Sequence, residues 1–242
     1  ARVCQSSLMA VAKKVEIETA RVNGLEPDPF PMVDWRFDTR HEPKQERSIA
    51  TRRLILDAAR TLADEHGVNG VTMQLVSQRA GIASGTAYQF FDDLESIYRD
   101  IYEEWYRNWW SVIMMHTSEY WSDDWESKLR ALITASCTFL LKNADTWTVI
   151  RHVDATAEGR IAAPQMVKAQ IKRSVDCWRP YLVSRGLGEE EIAFLARCST
   201  YTARGHHIFS TLASSTVAEV IEGSYQSQRA LIAEYLRRAE AR

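Results

Sequence analysis

Apolar side chains recur at spacings of three and four residues along most of the chain after Ser48, a period typical of α-helices. The first apolar face ends at Gly67 and comprises Ile49, Leu54, Leu56, Ala58, Ala59, Leu62 and Ala63. Later segments with this pattern run over about 124–140, 146–157, 164–184, 189–212 and 216–238. Only Pro164 and Pro180 of the six prolines lie beyond position 43, which leaves too few turn residues for a many-stranded β fold. The sequence therefore predicts an all-α protein.

Residues 72–91 predict two helices joined by a tight turn. Thr72 is a typical N-cap for the first helix, Gly81 ends it, and a short second helix follows over about 84–90. The residues expected to pack inward are Leu75, Val76, Ala80 and Ile82. The residues expected to face outward, too small and polar for a core, are Ser84, Gly85, Thr86 and Gln89. This arrangement is a helix-turn-helix whose short second helix suits the width of a DNA major groove.

The same stretch resembles the DNA-binding region of the tetracycline-repressor (TetR) family over about 50 residues. The matching elements, in order, are Arg53-Leu54-Ile55-Leu56-Asp57-Ala58-Ala59, Gly67, Val71-Thr72-Met73, Ala80-Gly81-Ile82, Gly85-Thr86-Ala87-Tyr88 and Phe91. The resemblance implies an N-terminal three-helix helix-turn-helix DNA-binding domain followed by a larger helical ligand-binding and dimerisation domain. We accordingly predict an N-terminal extension over 1–47 (a short helix plus a proline-rich arm), a DNA-binding domain over 48–93, and a ligand-binding and dimerisation domain over 94–242.

The resemblance also implies which residues contact DNA. Thr72 corresponds to the cap whose hydroxyl and neighbouring amides meet a phosphate, and Tyr88 looks like the phosphate-contacting tyrosine of the family. Gln89 stands where family members often carry an aromatic residue or a histidine, and a glutamine there can form two hydrogen bonds with adenine. The predicted DNA-binding residues are Arg52, Thr72, Gln74, Ser84, Gly85, Thr86, Tyr88 and Gln89.

Charge near this motif departs from the family pattern. Ala83-Ser84 replaces a common Ser-Lys pair, and Leu94, which follows two aspartates, replaces a common lysine. Residues 44–100 hold seven basic and eight acidic side chains, and the whole chain has a net charge of −2. Each lost phosphate contact lowers both the affinity for DNA and its salt dependence. The basic residues expected to compensate are Lys44, Arg47, Arg52 and Arg53.

The C-terminal half is rich in tryptophan, since seven of the eight tryptophans lie after position 104. Asp93 is expected to cap a long helix over about 94–117, and one stripe of that helix comprises Tyr102, Trp105, Trp109, Val112 and Ile113. Two interpretations stand here: a cavity for an apolar or aromatic ligand, or simple filling of the core. For the cavity, the predicted ligand-binding residues are Trp109, Ile113, Ile133, Cys137, Trp147, His152, Trp178, Thr202 and His206.

Small and large apolar residues are mixed on the last two predicted helices, which suits close helix packing. In the resembled family this pair of helices forms a four-helix dimer interface. The predicted interface residues are Leu195, Ile208, Leu212, Val217, Ile221 and Tyr225. A two-fold dimer places two recognition helices about one helical turn apart on one face of DNA, which matches a palindromic operator.

Cysteine usage favours a cytoplasmic protein, because the four cysteines are far apart and resemble reduced packing residues. The sequence shows neither a membrane-spanning apolar run nor a secretory signal. It also shows no catalytic triad, carboxylate pair, phosphate-binding glycine motif or metal-ligand spacing. We therefore expect no enzyme activity, no cofactor and no metal.

Together these features predict a ligand-responsive transcriptional regulator, in the first instance a repressor. It is expected to bind a double-stranded DNA operator as a homodimer and to be released by a small apolar or aromatic effector. Two other interpretations stay open. One is a helical interaction protein that has lost DNA binding, which the missing lysines would suit. The other is a helical enzyme that processes a small molecule.

Overall fold

The computed structural model describes residues 46–213 and 216–242, except for the side chains of residues 46, 204 and 206–213. The extension predicted for residues 1–47 lies outside this part of the chain apart from its last two residues. Over the described residues the chain forms no β-strand and nine α-helices: α1 Glu46–His66, α2 Met73–Ala80, α3 Ser84–Phe90, α4 Leu94–His116, α5 Trp125–Lys142, α6 Trp147–Asp154, α7 Gly159–Ser184, α8 Glu189–Ala213 and α9 Val217–Glu240. This architecture confirms the predicted all-α fold.

Helix α7 begins earlier than predicted. It starts at Gly159 instead of near Pro164, so Pro164 lies inside the helix, and it continues past Pro180 to Ser184. A Cβ atom at Gly159 would lie 1.9 Å from the carbonyl oxygen of Val153, far inside van der Waals contact. Glycine therefore lets the chain pass from α6 into α7 through a close approach of two backbone segments.

The chain divides into two compact units. The first, called here the helix-turn-helix unit, comprises residues 46–108 and 143–166 of the described chain. The second, called here the bundle unit, comprises the described residues of 109–142 and 167–242. The helix-turn-helix unit is larger than the predicted segment 48–93, because it also includes the first part of α4, all of α6 and the start of α7. The functional division into domains stays a prediction.

The core of the helix-turn-helix unit is built from the inner faces of its helices. Its fully buried apolar residues include Ile55, Ala59, Ala63, Val76, Ala87 and Ile97. Three residues expected to face inward are instead exposed, namely Ile49, Leu54 and Leu75, by 52%, 51% and 38%. Ile49 and Leu54 lie just beyond the two edges of the buried arc of α1. Leu75 lies on the side of α2 opposite its inner face. The inner face includes Ser77, whose hydroxyl donates to the carbonyl of Met73 at 2.8 Å and is therefore satisfied although it is buried.

Stacked tryptophans form the centre of the bundle unit. Trp178 is fully buried and stacks on Trp121, with ring centroids 4.4 Å apart and planes 23° apart. Trp125 packs beside Trp121 with a centroid separation of 5.5 Å. The buried aliphatic residues around them include Leu129, Ile133, Leu182, Ile192 and Leu195. Trp178 therefore fills the core of the bundle unit in this structure.

Candidate nucleic-acid interface and ligand pocket

Two local signals set the angle between α2 and α3. Thr72 has an extended backbone, and its hydroxyl oxygen accepts a hydrogen bond from the N–H of Leu75 at 3.2 Å, which caps α2. Gly81 adopts φ 68° and ψ 32°, a left-handed conformation that favours glycine. The N–H of Ile82 then donates to the carbonyl of Ser77 at 3.0 Å and closes the turn. The predicted cap and stop of α2 are both present.

Helix α3 is short and leaves most of its side chains outside the core. Ala87 is its buried residue, and Phe91 anchors the chain directly after it. Five of the predicted DNA-binding residues lie on α3: Ser84, Gly85, Tyr88 and Gln89 are exposed, and Thr86 is half-buried. A short helix with one buried anchor and outward hydroxyl and amide groups has the form of a recognition helix. The structure therefore places these five residues together on one helix.

Helix α2 adds further uncharged hydrogen-bonding groups. The side chains of Gln74 and Gln78 are exposed, as is that of Thr72. Because the Thr72 hydroxyl oxygen already accepts the capping hydrogen bond, its proton is the part of the group available to a phosphate oxygen. The exposed surface of α2 and α3 thus carries hydroxyl and amide groups, together with the side chains of Leu75 and Arg79.

The acidic residue before α4 has a structural role. The N–H of Ser96 donates to Asp93 Oδ1 at 2.7 Å, and the Ser96 hydroxyl donates to the carbonyl of Asp93 at the same distance. A carboxylate at the N-terminus of a helix also interacts favourably with the helix dipole. Asp93 therefore caps α4 as predicted, and part of its charge is offset locally.

Arg52, a predicted phosphate contact, is held by an ion pair inside the unit. Its guanidinium pairs with the carboxylate of Asp100 on α4 and lies over the ring of Phe91, with the guanidinium carbon 5.7 Å from the ring centroid. Burial raises the pKa of Asp100 to about 6, although the charge of Arg52 acts in the opposite direction. The structure thus directs Arg52 inward instead of outward.

Asp100 was not among the residues predicted from the sequence, although a signal for it exists. Asp100 lies between Ile97 and Ile101, both fully buried, on the inner side of α4. A carboxylate at such a position needs a cation or several hydrogen-bond donors. No local spacing indicates that the cation lies 48 residues earlier on α1.

The nine predicted ligand-binding residues do not line one pocket. Trp147 packs on Trp105 with centroids 5.4 Å apart, and His152 pairs with Glu95 at 2.8 Å, all within the helix-turn-helix unit. Trp178 belongs to the tryptophan stack of the bundle unit, and Trp109 packs on Phe139 at 5.6 Å. Thr202 is half-buried, and the side chain of His206 lies outside the described residues. A helical periodicity shows that a residue faces inward, but it does not show which helix it meets.

A pocket in the bundle unit contains three of those residues. Its cavity volume is about 20 Å³, room for about one water molecule. Its lining residues are Ile113, Leu132, Ile133, Ser136, Cys137, Leu140, Gln170, Ser174, Ser199, Thr200, Ala203 and Gln228. Burial raises the pKa of the Cys137 thiol to about 11, so that this side chain is neutral at physiological pH. Among the described residues the lining thus has an aliphatic part and a part made of hydroxyl and amide groups.

Two predicted interface residues lie inside the protomer. Leu195 is fully buried and Tyr225 nearly so, both within the core of the bundle unit. Ile221 packs partly against the same core, whereas Val217 is exposed by 47%. The side chains of Ile208 and Leu212 lie outside the described residues. Leu195 and Tyr225 are therefore wrong as interface contacts, because they face their own core.

The outward side of α8 carries other large rings. Phe194 is exposed by 41% and Tyr201 by 57%, and they lie seven residues apart, which places them on one face. Phe194 and Leu195 are adjacent and both apolar, so the sequence alone does not show which of the two side chains faces outward.

The described residues contain no group of three or more His, Cys, Asp or Glu side chains arranged to hold a metal ion. Over the same part of the chain, none of the helices has the length and apolar character needed to cross a membrane.

Comparison with known proteins bears on the N-terminal part most directly. Residues 55–101 match the family model described as bacterial regulatory proteins, tetR family. The HTH-type transcriptional regulator BetI of Burkholderia thailandensis is 29% identical over 94 residues, which cover 39% of this chain and 48% of BetI. The chain thus spans about half the length of the curated relative it matches.

Solved structures share the fold over most of the chain. The fatty acid degradation regulator FadR from Bacillus halodurans superposes with a TM-score of 0.62 at 17% identity, covering 77% of this chain and 96% of FadR. SmeT in its complex with triclosan superposes with a TM-score of 0.60 at 19% identity, covering 75% of this chain and 90% of SmeT. Identities this low show the fold alone.

The fold and the exposed short helix after the Gly81 turn define a helix-turn-helix protein built like a transcriptional regulator. The match of the family model makes the comparison more specific: residues 55–101 are similar to the DNA-binding region of the tetR family of bacterial regulatory proteins.

Proposed function

We propose that this protein is a DNA-binding repressor that occupies a palindromic operator as a homodimer and is released by a small molecule. The observation that carries the proposal is helix α3, which exposes Ser84, Tyr88 and Gln89 after the turn at Gly81. These side chains lie outside the core, and their hydroxyl and amide groups match the hydrogen-bonding groups of base edges and phosphates. The similarity to the tetR family supports the same role.

The contacts divide into two kinds. Gln89 is the candidate for reading a base, because its side-chain amide can donate to N7 of adenine and accept from the N6 amino group at the same time, in the major groove. The hydroxyls of Tyr88 and Thr72 are candidates for phosphate oxygens. We no longer include Arg52 among the DNA contacts. Instead we propose that its ion pair with Asp100 holds α1 against α4.

The test begins with duplexes selected by the protein from a random pool. The double variant Thr86→Ala with Tyr88→Phe removes two hydroxyls from α3 and should weaken binding to the selected duplex about ten- to a hundredfold, with little change in melting temperature. Fluorescence anisotropy of a labelled duplex measures the affinity. The matched control is Tyr181→Phe with Ser184→Ala, which removes the same kinds of hydroxyl from α7 and should leave DNA affinity unchanged.

Equal affinities for the wild type and the double variant would remove α3 from the interface. Failure of the wild type to select any duplex, even at low salt, would favour a helical interaction protein that has lost DNA binding.

The dimer is proposed to form through the outward sides of α8 and α9. The support is the pair of exposed rings on one face of α8, Phe194 and Tyr201, together with exposed Val217 at the start of α9. Exposed apolar residues that cluster on one face mark protein interfaces more often than scattered ones do. The family resemblance implies the same pair of helices.

Phe194→Glu tests this interface. The substitution should lower the sedimentation mass from dimer to monomer at micromolar concentration, because it places a charge at the centre of the proposed contact. Ile161→Glu is the matched control, since Ile161 is exposed by 59% but lies in the helix-turn-helix unit. A wild-type monomer, or a Phe194→Glu dimer, would contradict the proposal.

Release by a small molecule is proposed by analogy with proteins of the same fold, because the pocket of the bundle unit has room for only about one water molecule in this structure. One protein of the same fold, SmeT, has been solved in a complex with triclosan. A ligand changes the affinity for DNA only if it binds two conformers of the protein with different affinities.

A further inference from the structure

Helix α3 has little packing of its own to fix its direction. It is seven residues long, and Ala87 is its one buried residue. A single methyl group buries too little apolar surface to hold a helix in place. The turn at Gly81 sets the start of α3, so its far end needs a separate anchor. That anchor is Phe91, which is 5% exposed and whose N–H donates to the carbonyl of Ala87 at 3.0 Å.

The ring of Phe91 is linked to α4 through an arginine of α1. The guanidinium carbon of Arg52 lies 5.7 Å from the ring centroid, within the range of a cation–π contact. The same guanidinium pairs with the carboxylate of Asp100, whose side chain is 3% exposed. An arginine side chain has many rotamers, so the ring alone is a weak restraint on Arg52. The buried carboxylate supplies the second point of attachment and thus connects α4 to the end of α3.

Stability does not account for this ion pair. Burial raises the pKa of Asp100 to about 6, the charge of Arg52 acts in the opposite direction, and the carboxylates of Glu103 and Glu104 add to the rise. Because the folded state binds this proton more tightly than the unfolded state, ionisation of Asp100 at neutral pH costs stability. Some proteins use buried ion pairs to fix a geometry at the expense of stability. A geometric role is therefore the one to test.

We propose that Asp100 is a positioning residue for α3: it holds the Arg52 guanidinium on the Phe91 ring and so fixes the end of the helix that carries Tyr88 and Gln89. The inference rests on the proposed function for its consequence, since α3 is the helix proposed to read DNA. Hydrogen bonds to base edges depend steeply on distance and angle, so a displaced α3 loses sequence preference before it loses general affinity for DNA. The ionised carboxylate thus favours specific binding while it lowers stability.

Other groups of the same unit also titrate or carry charge. The described part of this unit contains two histidines: His66 lies 3.6 Å from Glu65, and His152 lies 2.8 Å from Glu95. Helix α3 has no charged side chain. Further paired groups on the helices packed in this unit are Asp57 with Arg60, Arg79 with Glu65, and Asp154 with Tyr102. Comparison of the wild type with Asp100→Asn at each pH cancels the contributions of all these groups.

The experiment measures the affinity of the full chain for the duplex selected from the random pool and for a shuffled duplex of equal composition. Fluorescence anisotropy is recorded from about pH 5 to about pH 8 at constant ionic strength. Near pH 7.5, Asp100→Asn should bind the selected duplex about tenfold more weakly than the wild type and the shuffled duplex equally well, because a hydrogen bond to a charged group has about that effect. Near pH 5 the two proteins should bind alike, since the wild-type carboxyl is then protonated.

The advantage of the wild type in binding the selected duplex should therefore grow as pH rises, while its stability relative to the variant falls over the same interval. A purely structural role would move affinity and stability in the same direction. A binding advantage that stays constant with pH, or that falls together with stability, would overturn the proposal.

Two further variants separate positioning from stability. Asp154→Asn is the matched control, because it makes the same change in the same unit at a carboxylate that accepts from Tyr102; it should alter stability but not the preference for the selected duplex. Arg52→Gln with Asp100→Asn should be more stable than Arg52→Gln alone, because no buried carboxylate is left without its cation. Its preference for the selected duplex should stay as low as that of Asp100→Asn. Recovery of the wild-type preference would contradict the proposal.

Hydrogen–deuterium exchange of the free protein tests the positioning without DNA. Near pH 7.5 the amides of residues 84–91 should exchange faster in Asp100→Asn than in the wild type, whereas those of α2 should stay equal. Unchanged exchange over α3 would overturn the inference, whatever the protein binds. If exchange over α3 is faster but no duplex is selected, the positioning role of Asp100 stands and the proposed DNA-binding function falls.

Discussion

The helix-turn-helix unit and the bundle unit both contain short polar side chains, but in opposite environments. On α3 these side chains are exposed, as Ser84 and Gln89 show, whereas in the bundle unit Ser136 and Ser174 are buried. An exposed polar face suits a large hydrated partner such as a duplex, whereas the pocket beside Ser136 and Ser174 has room for only about one water molecule. Exposure, more than residue type, therefore distinguishes the two environments.

The units also differ in what surrounds these side chains. In the helix-turn-helix unit, polar and charged pairs reach inward: Tyr102 donates to Asp154 at 2.7 Å, and Arg52 pairs with buried Asp100. In the bundle unit the centre is the aromatic stack of Trp121 and Trp178. The first unit thus uses buried polar contacts to fix its helices, and the second combines ring packing with a buried contact in which Arg173 donates to the hydroxyl and the carbonyl of Thr117.

The greatest loss of stability should come from disrupting the aromatic stack. Trp178→Ala should lower the free energy of unfolding by about 3–5 kcal/mol, because it removes a fully buried ring. Denaturant unfolding followed by circular dichroism measures the change. If the variant kept wild-type stability, the Trp178 ring would not stabilise the core and the contrast between the two units would fail.

Gly159→Ala should destabilise the helix-turn-helix unit by about 3 kcal/mol or more. The new Cβ would meet the carbonyl of Val153 at 1.9 Å, and backbone has to move to relieve the contact. Gly85→Ala is the matched control, because a Cβ atom added there would have no other atom within 4 Å and alanine favours a helix. Melting curves should therefore move down for the first variant and stay level or rise for the second. Equal melting temperatures would show that α6 and α7 are not closely apposed at this point.

Asp100→Asn should change how stability depends on pH. The carboxyl pKa is raised from an ordinary 3.8 to about 6, so the folded state binds this proton more tightly than the unfolded state, and wild-type stability falls as pH rises through that interval. The asparagine variant lacks this contribution. The stability of the wild type relative to the variant should thus decrease between pH 4 and pH 7, by at most about 3 kcal/mol. A relative stability that increases with pH would mean that Arg52 outweighs the burial.

A smaller change is expected in the salt dependence of DNA binding. Arg47 is exposed at the start of α1, whereas Arg52 is paired with Asp100. Arg47→Gln should reduce the slope of log affinity against log salt concentration by about 2 for a dimer, one phosphate contact for each protomer. Arg52→Gln should lower thermal stability but leave the slope unchanged. The reverse pattern would restore Arg52 as a phosphate contact.

Features that depend on nearby residues could be predicted from the sequence. The N-cap at Thr72, the stop at Gly81 and the cap at Asp93 each depend on a hydrogen bond or dihedral angle within three or four residues. The exposed face of α3 could also be predicted, because Ser84 and its neighbours are too polar for a core. A motif whose geometry is local is visible in the sequence.

Features that depend on distant partners could not be predicted in the same way. The inward direction of Arg52 depends on Asp100, and the stacking of Trp178 depends on Trp121, 57 positions earlier in the sequence. The pocket depends on which helices bring Ser136 and Ser174 to one space. Hydrophobic periodicity indicates that these residues face inward but carries no information about the helix opposite. For this reason the predicted ligand-binding residues are divided between the two units.

Whether α3 reads DNA sequence is best decided by comparing the duplexes that the wild type and Gln89→Ala select from a random pool. The wild type should select a palindrome with half-sites about one helical turn apart and an adenine at one fixed position in each. Gln89→Ala should select the same palindrome with the preference at that position lost. Identical motifs for both proteins, or no motif for the wild type, would contradict a sequence-reading role for α3.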